Sequence, residues 1–235
     1  MSTPGIVAVG VVDSTQQVAR ELADAGAAHG TAVVAHAQRA GRGRLGRSWE
    51  SPPGDNLLMS IVLRPRGPIT EAPLLSLGAA AGLAVVFGLG VKWPNDLVVR
   101  DGRKVGGLLA ELDADGTRVR HVILGLGLNV NAAPTHLPAT SLAALGAAGE
   151  VDVADWLDGA RLDVAKVADA ARRAILAWSE HPRRLDVWRE RSFTLGRRVR
   201  IGGREGVAQA LRDDGALILD GEPVLTGDVE LVARG

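Results

Sequence analysis

Residues 91–131, VKWPNDLVVRDGRKVGGLLAELDADGTRVRHVILGLGLNVN, restrict the fold more than any other part of the chain. Apolar and polar residues alternate along them, the period of a strand with one buried face. Asp101-Gly102 and Asp115-Gly116 interrupt the alternation, and Asp-Gly pairs supply the positive φ that tight hairpin turns need. The spacing predicts an antiparallel meander. Such a sheet has to cover an apolar face. The stretch just before it, APLLSLGAAAGLAVVFGLG (residues 72–90), is hydrophobic nearly all round, the pattern of a buried helix.

The remaining segments extend this pattern. IVAVGVV (residues 6–12) reads as a strand. The following DSTQQVARELADAGA reads as a helix, with Ser14 and Gln17 as a capping box and Val18, Leu22 and Ala25 at helical spacing. Residues 31–38 and 56–65 read as buried strands, and residues 152–192 as helical with a break at His181-Pro182. Beyond residue 192 the chain turns to short strands and Gly/Asp turns (RRVRIGG, GVAQALRDDGALIL, VELVAR). The expected fold class is α+β. A mixed sheet backed by helices occupies residues 1–192, without βαβ alternation, and a small SH3-like β-barrel occupies residues 193–235.

Composition excludes several functions. The 27 basic residues are balanced by 27 acidic ones, so the chain is not a general polyanion binder and no nucleic-acid partner is expected. There is no cysteine, hence no disulfide and no thiolate metal site. The histidines show no metal-ligand spacing, and no G-x-S-x-G, H-E-x-x-H or Walker loop occurs. No apolar run reaches the ~20 residues of a membrane span. The first residues carry no basic and apolar leader. A cytoplasmic protein without a membrane partner is expected.

One loop of this neutral chain is strongly basic. QRAGRGRLGRSW (residues 38–49) sets Arg39, Arg42, Arg44 and Arg47 among three glycines. It matches G-x-G-x-x-G formally. The dinucleotide reading needs a helix to open there, and Ser51-Pro52-Pro53-Gly54 prevents one. The glycines still let backbone N–H groups approach a ligand, and arginine forks fit carboxylate and phosphate. Trp49 at the end of the loop suits an adenine-containing anion. A flexible basic surface loop is the other reading.

Three further motifs follow. In KWPND (residues 92–96) Asn95 and Asp96 offer oxygens for Mg²⁺ or a ribose, although a plain turn explains the same letters. GRKVGG (residues 102–107) puts Lys104 just before Gly106-Gly107, a mark of a bulge or of close approach to a ligand. GLGLNVN (residues 125–131) places Asn129 and Asn131 two apart, hence on one side of a strand. Only Lys92, Lys104 and Lys166 are lysines among the 27 basic residues. Where arginine serves nearly everywhere, a retained ammonium inside a motif points to a shaped requirement. Lys166 reads as a solvated helix face.

In this order, D-S-T, Q-x-x-G-R-G-R-x-G-R-x-W, K-W-P-N-D, R-K-x-G-G-L-L-x-E and G-x-G-x-N-V-N resemble the biotin–protein ligase family. Here KVGGLL stands where many relatives have alanine before the second glycine. The resemblance implies the monofunctional class, without an N-terminal DNA-binding domain, and a biotin/lipoate ligase-like catalytic fold. It implies activation of biotin by Mg·ATP to biotinyl-5′-AMP, then transfer to a lysine of a biotin carboxyl carrier domain. Ser14, Thr15, Gln38, Gly41, Arg42, Lys104 and Gly107 would bind biotin. Arg44, Arg47, Trp49, Asn95, Asp96, Lys104, Asn129 and Asn131 would bind ATP. Lys104, Arg42, Arg44 and Asp96 would be catalytic, with Asp96 either holding Mg²⁺ or orienting the acceptor lysine. The protein is expected to act as a monomer or weak homodimer. A lipoate–protein ligase of the same fold, and a non-enzymatic module that binds nucleic acid or protein through the arginine loop, remain as alternatives.

Overall fold

The computed structural model describes residues 5–232. The first four residues of the expected catalytic unit and the last three of the expected terminal unit, including the end of VELVAR, lie outside the described residues. Seven strands form the main sheet: β1 (Ile6–Val12), β2 (Ala32–Gln38), β3 (Leu57–Leu63), β4 (Gly90–Lys92), β5 (Asp96–Val98), β6 (Lys104–Asp115) and β7 (Arg118–Leu128). Their order is β1-β2-β3-β7-β6-β5-β4. The meander read from the sequence is present, with antiparallel ladders from β3 through β7 and β6 to β5 and β4.

The opening of the fold is what makes the sheet mixed, as expected. β1 and β2 pair in parallel, and α1 (Thr15–Asp24) crosses between them, so the chain begins with one βαβ unit. Ser14 caps the helix directly after β1, and the helix must run back along the sheet before β2 can start. The capping box is half formed. Ser14 Oγ accepts from the Gln16 N–H at 3.3 Å, while Gln17 reaches forward to Glu21 at 3.1 Å. The buried face holds Thr15, Gln16, Ala19 and Ala23; Val18 and Leu22 are half-buried and Ala25 is exposed. Two polar residues at the start of the helix have turned inward, and the cavity described below is the reason.

α2 (Ala72–Val86) lies in the core, with Leu74, Leu77 and Leu83 buried. Segment Ile69–Val86 is long and apolar enough to cross a membrane by length and composition, which the sequence reading had not recognised. Its apolar surface is instead covered by the sheet and the later helices. A short α3 (Leu142–Ala147), capped by Ser141, was not expected. Residues 152–192 are only partly helical. They begin with a 3-10 turn (Ala154–Trp156) and a small hairpin of β8 (Leu157–Asp158) and β9 (Arg161–Leu162). α4 (Val164–Trp178) then starts at an Asp163 cap whose carboxylate accepts from Ala165 and Lys166 N–H groups. α5 (Arg184–Glu190) follows the His181-Pro182 break.

The terminal unit is a five-stranded antiparallel sheet of β10 (Arg198–Ile201), β11 (Arg204–Leu211), β12 (Leu217–Leu219), β13 (Glu222–Val224) and β14 (Glu230–Leu231). Its strand order is β13-β12-β11-β10-β14. Trp93, in the turn after β4, ties it to the main body. Its indole N–H donates to Gly215 O at 3.1 Å, and its backbone N–H donates to Thr194 Oγ1 at 2.9 Å.

Candidate active site

A cavity of about 660 Å³ opens between the start of α1, the arginine loop, the turn between β4 and β5, and residues 134–139. This is within the usual size of a small-molecule site. All residues expected to bind or react line it, except Gly41 and Asn131.

Those two exceptions have physical causes. Gly41 is buried at the base of the loop, where its carbonyl accepts from the Trp49 N–H at 2.9 Å. Asn131 lies beyond the end of β7, so the strand alternation that put it beside Asn129 no longer applies. Its side chain donates to Leu162 O at 2.9 Å and accepts from the Leu162 N–H at 3.0 Å, holding β9 in place.

The arginine loop is a small hairpin. Arg42 and Ser48 form a bridge, and the Gly43 N–H donates to Arg47 O at 2.7 Å. Its tip is a single 3-10 turn, Arg44–Gly46, with Leu45 exposed at φ 53°. No helix opens there, as the prolines imply. The arginines have acidic or amide partners. Arg42 stands 3.2 Å from Glu111, and Arg44 donates to Asn95 Oδ1 at 3.0 Å. Asp228, from the loop between β13 and β14, meets Arg47 and lies 3.8 Å from Arg44. This carboxylate was missed because no local signal links it to a loop so far away in sequence.

One end of the cavity is uncharged and polar. Thr15 Oγ1 and Ser60 Oγ are 2.8 Å apart. The Thr15 N–H and hydroxyl both donate to Gln38 Oε1, at 2.7 and 3.0 Å. Gln38 therefore spends its carbonyl on the protein, and its Nε2 has no protein acceptor among the described residues. Ser60 was also missed, although one hydroxyl in the apolar strand LLMSIVL was the available signal.

The other end carries charge. Lys104 Nζ meets Asp96 Oδ1 at 2.6 Å and stands 5.6 Å from the centre of the Trp49 ring. The backbone of Lys104 is pinned on both sides: its N–H donates to Pro138 O and its carbonyl accepts from the Thr140 N–H, each at 2.9 Å. Gly107 lies beneath the ion pair, where a Cβ would stand 3.1 Å from Nζ. Just outside, Arg103 holds the Asp101 carboxyl below its usual range, first through its backbone N–H.

Seven buried side-chain polar atoms lack a partner among the described residues, and three of them are in this wall: Gln16 Oε1, Trp49 Nε1 and Asn129 Oδ1. Folded proteins rarely leave such atoms unpaired. All three atoms are enclosed by protein rather than open to the cavity.

The βαβ opening, the meander and the arginine hairpin over one sheet face define a class of α+β domain with a seat for an anionic small molecule. Residues 8–129 match the model of the Biotin/lipoate A/B protein ligase family. The chain is 37% identical to the bifunctional ligase/repressor BirA of Bacillus subtilis (strain 168), over 94% of this chain and 72% of that protein. It is 35% identical to the biotin–[acetyl-CoA-carboxylase] ligase of Paracoccus denitrificans, over 89% of this chain and 91% of that one. Among solved structures it is similar to the biotin protein ligase from Aquifex aeolicus in complex with biotin and ATP, with a TM-score of 0.73 and 26% identity over 99% of this chain and 100% of that one. The chain belongs to the biotin/lipoate A/B protein ligase family.

Proposed function

We propose that this protein is an ATP-dependent biotin–protein ligase. The observation that carries the reading is the cavity's polarity: an uncharged hydrogen-bonding end at Thr15, Ser60 and Gln38, and a cationic end at Lys104 and the arginine hairpin. A ureido ring needs partners of the first kind. A carboxylate approaching a phosphate needs cations of the second kind.

Two displacements follow. An oxygen of the biotin carboxylate attacks the α-phosphorus of ATP, and the bond to the β-phosphate oxygen breaks, giving biotinyl-5′-AMP and pyrophosphate. Lys104 and Arg42 draw the two anions together, while Arg44 and Arg47 hold the phosphates, exchanging Asp228 for them. Cations held at the place where charge develops lower the barrier once the ligands are bound. In the second displacement a lysine amine of a biotin carboxyl carrier domain attacks the acyl carbon. The bond to AMP breaks, and the ammonium proton is lost. An unperturbed lysine has a pKa of ~10.4, so a carboxylate such as Asp96 assists by orienting the amine or taking its proton.

Mg²⁺ fits as a nucleotide-borne ion. Such ions need only one or two carboxylates besides the phosphates, and Asp96 supplies one in the wall; when bound, the ion neutralises charge on the phosphates. Trp49 contributes a ring face for the nucleoside, and Asn129 lines the same wall. Gly41 and Asn131 act from behind, by fixing the loop and the β9 hairpin. The reading keeps a cytoplasmic protein acting as a monomer or weak homodimer.

The lipoate reading is weaker, because a dithiolane ring offers no acceptor to Gln38 Nε2, which has none in the protein among the described residues. Incubation with Mg·ATP, a carrier domain and either biotin or lipoate, followed by intact mass, tests the choice. Gain of one biotinyl mass by the carrier is expected. Transfer of lipoate alone, or no transfer, overturns the reading.

A further inference from the structure

Away from the cavity, the far end of α1 meets the β6–β7 hairpin. Asp24 is the last residue of α1, Asp113 lies on β6 and His121 on β7. One oxygen of each carboxylate and one ring nitrogen of His121 lie within 4.8 Å of one another. His121 stands opposite Asp113 in the ladder, and the register shifts directly after that pair. Such a bulge re-aims the side chains beside it. His121 is 2% exposed. Its Nδ1 faces Asp113 Oδ2 at 3.7 Å, too far for a hydrogen bond. Of its two nitrogens, only Nε2 is both enclosed and unpaired. A buried imidazole that bonds through neither nitrogen calls for a partner, and this one directs Nδ1 at an acid.

Asp24 is anomalous for a different reason. A carboxylate in the last turn of a helix opposes the helix dipole. The Arg120 guanidinium goes to Asp113 instead, donating from Nε to Oδ2 at 2.7 Å. Arg64, also near, donates to the carbonyls of Ala23 and Arg120. We propose that Asp24, Asp113 and His121 Nδ1 hold a divalent transition-metal ion of the Zn²⁺ class. Imidazole with carboxylates suits Zn²⁺, whereas Mg²⁺ and Ca²⁺ favour oxygen alone. Three protein ligands leave a fourth position for water. Arg120 keeps its bond to Asp113 and orients that carboxylate, as outer partners of a metal site do. The ion fastens the end of the helix whose first residues, Ser14 and Thr15, line the cavity. It is a structural staple, separate from the Mg²⁺ that travels with ATP, and it stands whether or not the ligase reading does. No sequence spacing signals it, because the ligands come from one helix and two strands.

The probe is Zn²⁺ itself, added to protein stripped with a chelator and exchanged into metal-free buffer without nucleotide. Titration calorimetry should show one site per chain. At a hundredfold excess over Kd the thermal midpoint should rise by about 5–10 °C. Asp24→Ala removes an exposed ligand and puts a good helix former at the helix end, so the variant should fold. Its Zn²⁺ affinity should fall about tenfold or more, and the rise in midpoint should shrink with it. His36→Gln, an exposed histidine on β2, should bind Zn²⁺ like the parent. Absence of one-to-one binding or of a midpoint rise in the parent overturns the proposal. Parental affinity in Asp24→Ala, or an equal loss in His36→Gln, overturns it as well, by putting the ion elsewhere.

Discussion

The indole of Trp49 lies against Gly127 of β7, at a place where any side chain on residue 127 would occupy the ring. Two residues earlier Gly125 admits the amide of Gln16. Residues two apart on a strand share a face and stand about 7 Å apart, so these glycines cut two adjacent seats, one for each end of the cavity.

Gly127→Ala should therefore displace Trp49. Overpacking of this kind typically costs about 1–3 kcal/mol. A lowered thermal midpoint is expected, along with loss of most of the ATP-induced change in tryptophan fluorescence. Trp49→Phe should remove the same fluorescence signal with little effect on the midpoint. If that signal survives in both variants, Trp49 is not the nucleotide's neighbour.

Lys104→Arg should abolish most adenylation with the fold intact. The ammonium fits between Asp96, at 2.6 Å, and the face of Trp49, where a longer planar fork does not. Loss of one such contact at a reacting centre typically lowers the rate about 10²–10³-fold. The control is Lys166→Arg, whose ammonium donates to Leu157 O on the surface. Biotin-dependent pyrophosphate release at saturating substrates, with a melt of each variant, makes the comparison; near-parental release by Lys104→Arg removes the catalytic role.

Biotin and ATP together should protect the hairpin from trypsin at Arg42, Arg44 and Arg47. In the described structure these arginines rest on Glu111, Asn95 and Asp228, half-exposed contacts that solvent still screens. Phosphates replace them with bidentate, enclosed ones. Equal digestion rates with and without both ligands count against this.

Asp228→Ala should speed tryptic cleavage of the hairpin in the absence of ligands, because it removes the carboxylate shared by Arg44 and Arg47. The difference from the parent should shrink once ATP and biotin are bound. No change in the unliganded rate would show that the contact does not restrain the loop.

Much of this site was legible because it is local. The Asp-Gly turns set the meander, the glycine–arginine hairpin spans only a few residues, and Lys104 stands out against a chain that otherwise uses arginine. What escaped was contact between distant segments. Asp228 looks like any acid in a turn until the terminal sheet brings it to Arg47. Gln16 reads as a helix residue until α1 turns that side of the helix toward β6 and β7. Asn131 misled for the opposite reason: the letters continue the strand pattern, but the ladder stops at Leu128 and the chain bends away to Leu162. The βαβ opening was hidden because a single parallel pair leaves no mark in the strand pattern that a buried antiparallel pair would not also leave.

The bond from Trp93 to Gly215 joins the segment that bears Asn95 and Asp96 to one synthesised 122 residues later. A ribosome adds about 5–20 residues per second, so for some seconds a nascent ligase has all its signature motifs and lacks the support beneath one of them. Its arginine hairpin also waits for Asp228. Competence therefore waits until synthesis has passed Asp228, and copies that stop short of it have no finished site in which to make, and then spill, a reactive acyl phosphate.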